Sequence, residues 1–301
     1  MTLRDTVKHG DSQACDPRAI GAQIRMKLPL LTPLEARVVT VLTDRNDITF
    51  ETPLREVSND AGVSEAMIVK IAKKLGFNGF RDLREALVVY RQTDVASLHH
   101  EISPDGTTAD IVRKVFRTAV QALEETMSIL DMEAFEQAAD LLHSARIRDF
   151  YGLGGSAQIA RDVSHKFLRI GLRSTVHDDA HMMLMSASLL GPQDIAVCFS
   201  HSGATRAVLE AARLARRNGA RTIALTNYAS SPIVEVANVV LCSTAQGSPL
   251  LGENAAARIA QLNIMDAIFV AVAQRSFGLA EKQLARTMAA VDSSRNEKVR
   301  L

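Results

Sequence analysis

The chain has 301 residues, 47% hydrophobic and 23% charged. At about 150 residues per domain this length predicts two domains with ordinary globular cores, and the composition speaks against the membrane and disordered classes. Thirty-five basic against 34 acidic side chains leave a formal charge of +1, which excludes an overall polycationic coat for nucleic acid but not a local basic face.

The first residues alternate charge with apolar side chains and contain no continuous apolar run. The richest apolar stretches, around Met182 to Leu190 and Ile264 to Ala273, are interrupted by polar residues short of the roughly 18 needed to span a bilayer. The reading is a cytoplasmic protein without membrane contact. Cys15, Cys198 and Cys242 are too few and too scattered for a disulfide framework or a metal knuckle; buried free thiols are expected, and no cofactor or metal.

Up to about Tyr90 apolar residues recur at three-and-four spacing: Leu34, Val38, Val41 and Leu42; Leu54, Val57 and Ala61; Ile68, Ile71, Ala72 and Leu75; Phe80, Leu83 and Leu87. This predicts an all-helical domain over 18–94. A polar stretch holding Pro104, Asp105 and Gly106 marks a linker over 95–108. An amphipathic helix follows from about Ala109 to Leu130, with Ile111, Val115, Ala119, Ala122, Thr126 and Ile129 on one side, and another lies near Met132 to Ser144. β-rich runs then alternate with helices: Ile147–Leu153, Ser174–His177, Asp194–Phe199, Arg221–Thr226 and Val239–Cys242, with a last helix to about Arg275. Strands separated by helices imply right-handed crossovers and a doubly wound, mostly parallel sheet. The second domain is therefore an α/β unit over 109–278, with its sheet core over 147–275 and a C-terminal tail over 279–301.

Gly62, Val63 and Ser64 lie between two short helical patterns. Glycine suits a helix-ending residue at positive φ, valine a corner plug and serine the cap of the next helix, which is helix-turn-helix grammar. With Ile68, Ile71, Ala72 and Leu75 turned to the core, Ser64, Glu65, Ala66, Met67 and Lys70 are left for a DNA groove. Lys70, Lys73, Lys74 and Arg81 fall in an acid-free stretch from Ala66 to Arg81, so Lys73 and Lys74 join the DNA candidates. An ordinary solvated helix with three lysines is the plainer alternative; the turn and the flanking apolar spacing favour DNA.

Two further turns follow strand candidates and precede helices. Gly152-Leu153-Gly154-Gly155-Ser156 brings backbone N–H groups, a helix N-terminus and a hydroxyl to one place, chemistry that suits an anion. Gly152, Gly154 and Ala157 also satisfy a dinucleotide fingerprint, with Asp178 or Asp179 as the ribose acid. The second turn, Ser200-His201-Ser202-Gly203-Ala204-Thr205, decides for a compact phosphate monoester, because a dinucleotide needs only one such turn. The candidate phosphate ligands are Gly154, Gly155, Ser156, Ser200, Ser202, Gly203 and Thr205. The bland alternative is that these hydroxyls merely cap helices.

Residues 147–275 resemble a sugar isomerase (SIS) phosphosugar-binding domain, through Gly152–Ser156 and Ser200–Thr205. Gly-Val-Ser-Glu at 62–65 and Lys-Lys-Leu-Gly-Phe-Asn-Gly-Phe at 73–80 resemble the helix-turn-helix of the RpiR family of bacterial transcription regulators. Together these resemblances imply a sensor that binds operator DNA and a phosphorylated sugar, in which Ser156, Ser200, Ser202 and Thr205 grip the phosphate. They point to a repressor of a sugar-catabolism operon working as a homodimer or homotetramer. Two departures stand out. Met67 and Lys70 replace the Thr and Arg frequent on family recognition helices, and Ala257 replaces a Ser that commonly precedes Arg258.

The fold also hosts aldose–ketose isomerases, and a free-standing isomerase with a helical appendage is the competing reading. Glu253 would be its base and His181 or His201 its ring-opening group; Glu253 serves equally as an acceptor for sugar hydroxyls in a sensor. The sensor, without turnover or catalytic residues, is preferred. His177, Asp178, Asp179 and His181 match no strong metal-ligand spacing and read as a capped helix start. Met182, Met183 and Met185 read as core or dimer interface.

Overall fold

The computed structural model describes residue 17 and residues 19–45, 47–92, 106–245 and 254–297. The first unit is helical: α1 (Ala19–Lys27), a 3-10 turn (Leu28–Leu30), α2 (Pro33–Asp44), α3 (Leu54–Ala61), α4 (Glu65–Lys74) and α5 (Phe80–Arg91). Its core gathers the expected apolar faces, with Val38, Leu42, Val57, Ile68, Ile71, Leu83 and Leu87 buried together. A capping box opens α2: the Thr32 hydroxyl accepts from the Glu35 N–H, the Glu35 carboxylate accepts from the Thr32 N–H, and Pro33 takes the first helical position. Helix α1 is absent from the expected elements. Ala19, Ile20, Gly21, Ala22 and Ile24 are all buried, so its apolar residues wrap more than one face and leave no stripe for periodicity to detect.

The second unit comprises α6 (Thr108–Ile129), α7 (Met132–Ser144), β1 (Arg148–Gly152), α8 (Gly155–Arg169), β2 (Thr175–His177), α9 (Ala180–Leu189), β3 (Ile195–Phe199), α10 (Arg206–Arg217), β4 (Arg221–Thr226), β5 (Val239–Cys242), α11 (Asn254–Gln274) and α12 (Phe277–Glu297). All five strands pair in parallel in the order β2-β1-β3-β4-β5. Side-chain alternation divides the two faces by size. Phe150, Val197, Phe199, Ile223 and Leu225 pack against α7, α8 and α11. Tyr151 and the small Ala196, Cys198 and Ala224 pack against α9 and α10, giving three layers.

Two expectations are corrected here. Residues over 279–301, read as a tail, belong largely to α12, whose Ala280 is buried in the main core. The interrupted apolar stretch near Ile264 to Ala273 lies within a helical segment over 255–274 that is long and apolar enough to cross a membrane by length and composition. Its Ala260, Ile264, Met265, Ile268 and Val272 are buried in the protein.

The units meet through polar contacts around Glu125 of α6. The Arg25 guanidinium pairs with its carboxylate, the Tyr90 hydroxyl donates to Oε1 at 2.9 Å, and Gln121 Nε2 donates to the same oxygen at 3.0 Å. Burial lowers the Arg25 pKa, partly offset by Tyr90. A second contact runs from Ser230 Oγ, in the loop after β4, to the Met26 carbonyl at 3.2 Å. Residues 95–105 of the expected linker fall outside the described residues; Thr107 caps α6 in a box with Asp110, and Thr108, read as the linker's end, is the first helical residue.

Candidate functional site

The helix-turn-helix corner is built as its residues dictate. Gly62 sits at φ 65° and ends α3, a conformation other residues adopt at a steric cost. Ser64 caps α4 by accepting from the Met67 N–H. Ile68, Ile71 and Ala72 are buried, while Ser64, Glu65, Ala66, Lys70 and Lys73 are exposed and Met67 is half-buried against the helical core.

The stretch without acids in sequence is not without acids in space. Glu35, 3% exposed at the start of α2, receives Lys74 Nζ at 2.7 Å on both carboxylate oxygens, with Lys70 Nζ 3.9 Å away. Hydrogen bonds from Lys74 and from the Thr32 backbone hold the Glu35 carboxyl down at about 2. Arg81 pairs with Glu85 one turn on. The Lys73 ammonium makes no hydrogen bond or ion pair with another described residue. The pairing of Lys74 with Glu35 crosses from α4 to α2, where sequence spacing gives no signal.

The two anion candidates come together at one place in the sheet. Gly152 of β1 is in register with Phe199 of β3, so the turns after these neighbouring strands lie side by side. In the order 2-1-3-4-5 the chain passes outward to β2 and then back across β1 to β3. The β1/β3 boundary is thus the topological switch point, where open α/β sheets leave a crevice.

Neither turn spends its hydroxyls on capping. Gly154, at φ 55°, precedes α8 with no side-chain cap bond, and Thr205 precedes α10 likewise. By contrast α6, α7 and α9 are capped by Thr107, Asp131 and Asp179. Ser200, 1% exposed, donates to Thr205 Oγ1 at 3.1 Å, and Ser202 Oγ accepts from the Ala204 N–H at 3.2 Å. Gly154, Gly155 and Ser202 are exposed; Ser156 and Thr205 are half-buried. Gly203, at φ 62°, lies so close to the next loop that a Cβ there would fall 2.0 Å from Ser231 Oγ. That loop also holds the cradle from behind, since the Asn227 N–H donates to the His201 carbonyl at 3.0 Å.

Of the remaining candidates, Glu253 lies outside the described residues. Asp179 caps α9 through the His181 and Met182 N–H groups, and these bonds lower its pKa. No group of three or more potential metal ligands occurs among the described residues. Cys198 and Cys242 are free, and burial pushes their thiols up to about 12 and about 11, so neither is a ready nucleophile. Met183 is core, whereas Met182 and Met185 are exposed. Ala257 is buried among Ala122, Ala245, Ala256 and Ala260. Arg258, the next residue, is a position that motif reading did not assign: its Cδ lies 3.6 Å from where a Cβ on Gly155 would stand.

A helix-turn-helix unit joined to a parallel-sheet domain with a paired-turn crevice defines a class of DNA-binding regulators carrying an SIS domain. Residues 19–94 match the helix-turn-helix domain of the rpiR family and residues 141–271 match the SIS domain. The chain is 43% identical over 278 residues to the HTH-type transcriptional regulator RpiR of Escherichia coli strain K12, covering 92% of this chain and 94% of that one. It is 31% identical to an uncharacterised HTH-type transcriptional regulator of Caldanaerobacter subterraneus, over 88% and 94% of the two chains. The chain belongs to the RpiR family of transcriptional regulators. This kinship groups it with regulators and not with the isomerases that share the fold. The Vibrio vulnificus NanR protein, solved in complex with ManNAc-6P, has the same fold at 24% identity, with a TM-score of 0.58 over 90% of this chain and 98% of that one.

Proposed function

We propose that this regulator is a cytoplasmic repressor of a sugar-catabolism operon, released by a phosphorylated sugar bound between the 154–156 and 200–205 turns. The observation that carries the reading is the pair of glycine- and hydroxyl-bearing turns at the switch point, each opening a helix that no side chain caps. Uncapped N–H groups and hydroxyls facing one crevice suit an oxygen-rich anion. The ManNAc-6P complex of NanR supports the same ligand class. Glu253 is assigned to the sugar hydroxyls. A sugar phosphate that accumulates once the sugar has entered the cell is a fitting signal for release.

Operator DNA is read by Ser64, Glu65, Ala66, Met67 and Lys70 at the base edges, with Lys73 on the backbone. Lys74 reaches phosphate only by leaving Glu35. Two exposed apolar stripes support self-association. One runs along α6 through Val112, Phe116, Val120 and Met127; the other lies on α9 through Met182, Met185 and Leu189. One stripe in use gives a homodimer, both give a homotetramer.

Linkage supplies the mechanism. A ligand that prefers one arrangement of the dimer shifts operator affinity by the difference in its two binding free energies, and DNA shifts ligand affinity equally. The loop after β4 is placed to carry this, because it holds the His201 carbonyl at one end and the Met26 carbonyl at the other. The test is a gel-shift titration of Ser200→Ala with Ser202→Ala, which should bind operator and ignore sugar phosphates that release the wild type. A normal effector response in this double variant would sink the cradle.

A further inference from the structure

The proposed cradle is made of neutral donors: backbone N–H groups and the hydroxyls of Ser156, Ser200, Ser202 and Thr205. A phosphate dianion moved from water into such a crevice loses hydration that neutral donors replace only in part, so a nearby cation strengthens binding and discriminates against uncharged ligands. Two arginines stand close enough to consider. Arg206 directly follows Thr205, but its side chain is 90% exposed and its Nε donates to Glu210 Oε1 at 2.8 Å along the same helix.

Arg258 is placed differently. It projects from α11, a different element from either turn, and its Cδ lies over Gly155, 3.6 Å from the position of a Cβ. It is exposed, and its guanidinium makes no hydrogen bond or ion pair with another described residue. The backbone it springs from is fixed, because Ala256, Ala257 and Ala260 are buried on the other side of the same turn. The Arg258 stem lies beside the first turn of α8, near enough that a Cβ at 155 would sit in ordinary van der Waals contact with it, and from Cδ the planar fork extends three bonds further. That fork suits two phosphate oxygens at once.

We propose that Arg258 is the counter-ion of the effector phosphate, closing over the cradle from α11 and making the site answer to phosphorylated sugars rather than to neutral ones. The proposal rests on the cradle reading above and adds to it a specificity-determining residue.

The test is calorimetric titration of the full-length protein with inorganic phosphate. Arg258→Gln should weaken phosphate binding about 10- to 100-fold, the range of a charge-assisted hydrogen bond. Arg258→Lys, which keeps the charge but not the fork, should recover part of that loss. Arg206→Gln should stay within about twofold of wild type, as an exposed surface pair does. If Arg258→Gln binds phosphate like wild type while Ser200→Ala with Ser202→Ala does not, the counter-ion assignment falls and the cradle stands. A loss in Arg206→Gln with none in Arg258→Gln also overturns it. If wild type takes up no phosphate at millimolar concentration, both readings fall.

Discussion

Glu125→Gln tests how far the two units depend on one buried carboxylate. The Glu125 side chain is 1% exposed and its partner Arg25 16%. Burial already works against the Arg25 charge, so the guanidinium relies on the carboxylate. Glutamine keeps the shape and one acceptor oxygen for Tyr90 and Gln121 but leaves Arg25 without a counter-charge. Removing one partner of a buried pair costs about 3 to 5 kcal/mol; the residual exposure of Arg25 sets the expectation at about 3 kcal/mol. Tyr90→Phe, which deletes the hydroxyl's hydrogen bond to Glu125 and its interaction with Arg25, should cost about 1 to 2 kcal/mol. Arg25→Met with Glu125→Gln removes both charges while the amide oxygen still accepts from Tyr90 and Gln121, and should return to within about 1 kcal/mol of wild type. Urea unfolding followed by circular dichroism measures each value. Calorimetry adds a second readout, because weakening a contact between units should split one melting transition into two. If Glu125→Gln unfolds within about 0.5 kcal/mol of wild type, or if the double variant is the least stable of the set, the carboxylate does not hold the units together.

Two further outcomes follow from the DNA-binding unit. Lys73→Ala should lower the slope of log affinity against log salt by about 0.9 per protomer, the release expected for one phosphate contact; an unchanged slope in gel shifts at several salt concentrations removes Lys73 from the interface. Because the folded carboxyl of Glu35 titrates at about 2 against an ordinary 4.5, its contribution to stability is fully present above pH 4.5 and is lost as pH falls from there toward 2. Lys74→Met should flatten that part of a plot of melting temperature against pH, and an acid profile identical to wild type would show that the pairing has no energetic consequence.

Much of this architecture was legible because it is local. Gly62 and Ser64 announce a left-handed helix end and a cap within three residues, and the structure has both. The strand runs stand out because both sheet faces are covered, which makes β1 and β3 buried throughout. The paired turns are legible as chemistry, while their adjacency depends on the strand order that seats β1 beside β3. Long-range pairings left no trace. Arg25 and Glu125 are 100 residues apart and Lys74 and Glu35 are 39 apart, and no periodicity links either pair. Helices α1 and α12 escaped for a related reason. The first buries residues on several sides. The second leaves Phe277, Leu279, Met288 and Val291 exposed while Ala280 is buried, so neither shows the single apolar stripe that marks a helix in sequence.

The polar character of the junction between the units separates two perturbations that look alike. A substitution at Glu125 strands a guanidinium where water reaches it poorly. Undocking the whole helical unit does the opposite, since Arg25, Tyr90, Glu125 and Ser230 would each gain water in exchange for the partner they give up across the junction. Little is lost electrostatically when both halves of such a clasp are wetted together, and the desolvation cost of burying the charges is recovered. An oily seam would resist opening in proportion to its area; a clasp of hydrogen-bonding groups resists mismatch far more than release. Mutations on one side of it therefore impair the protein more than the motion that parts the two sides.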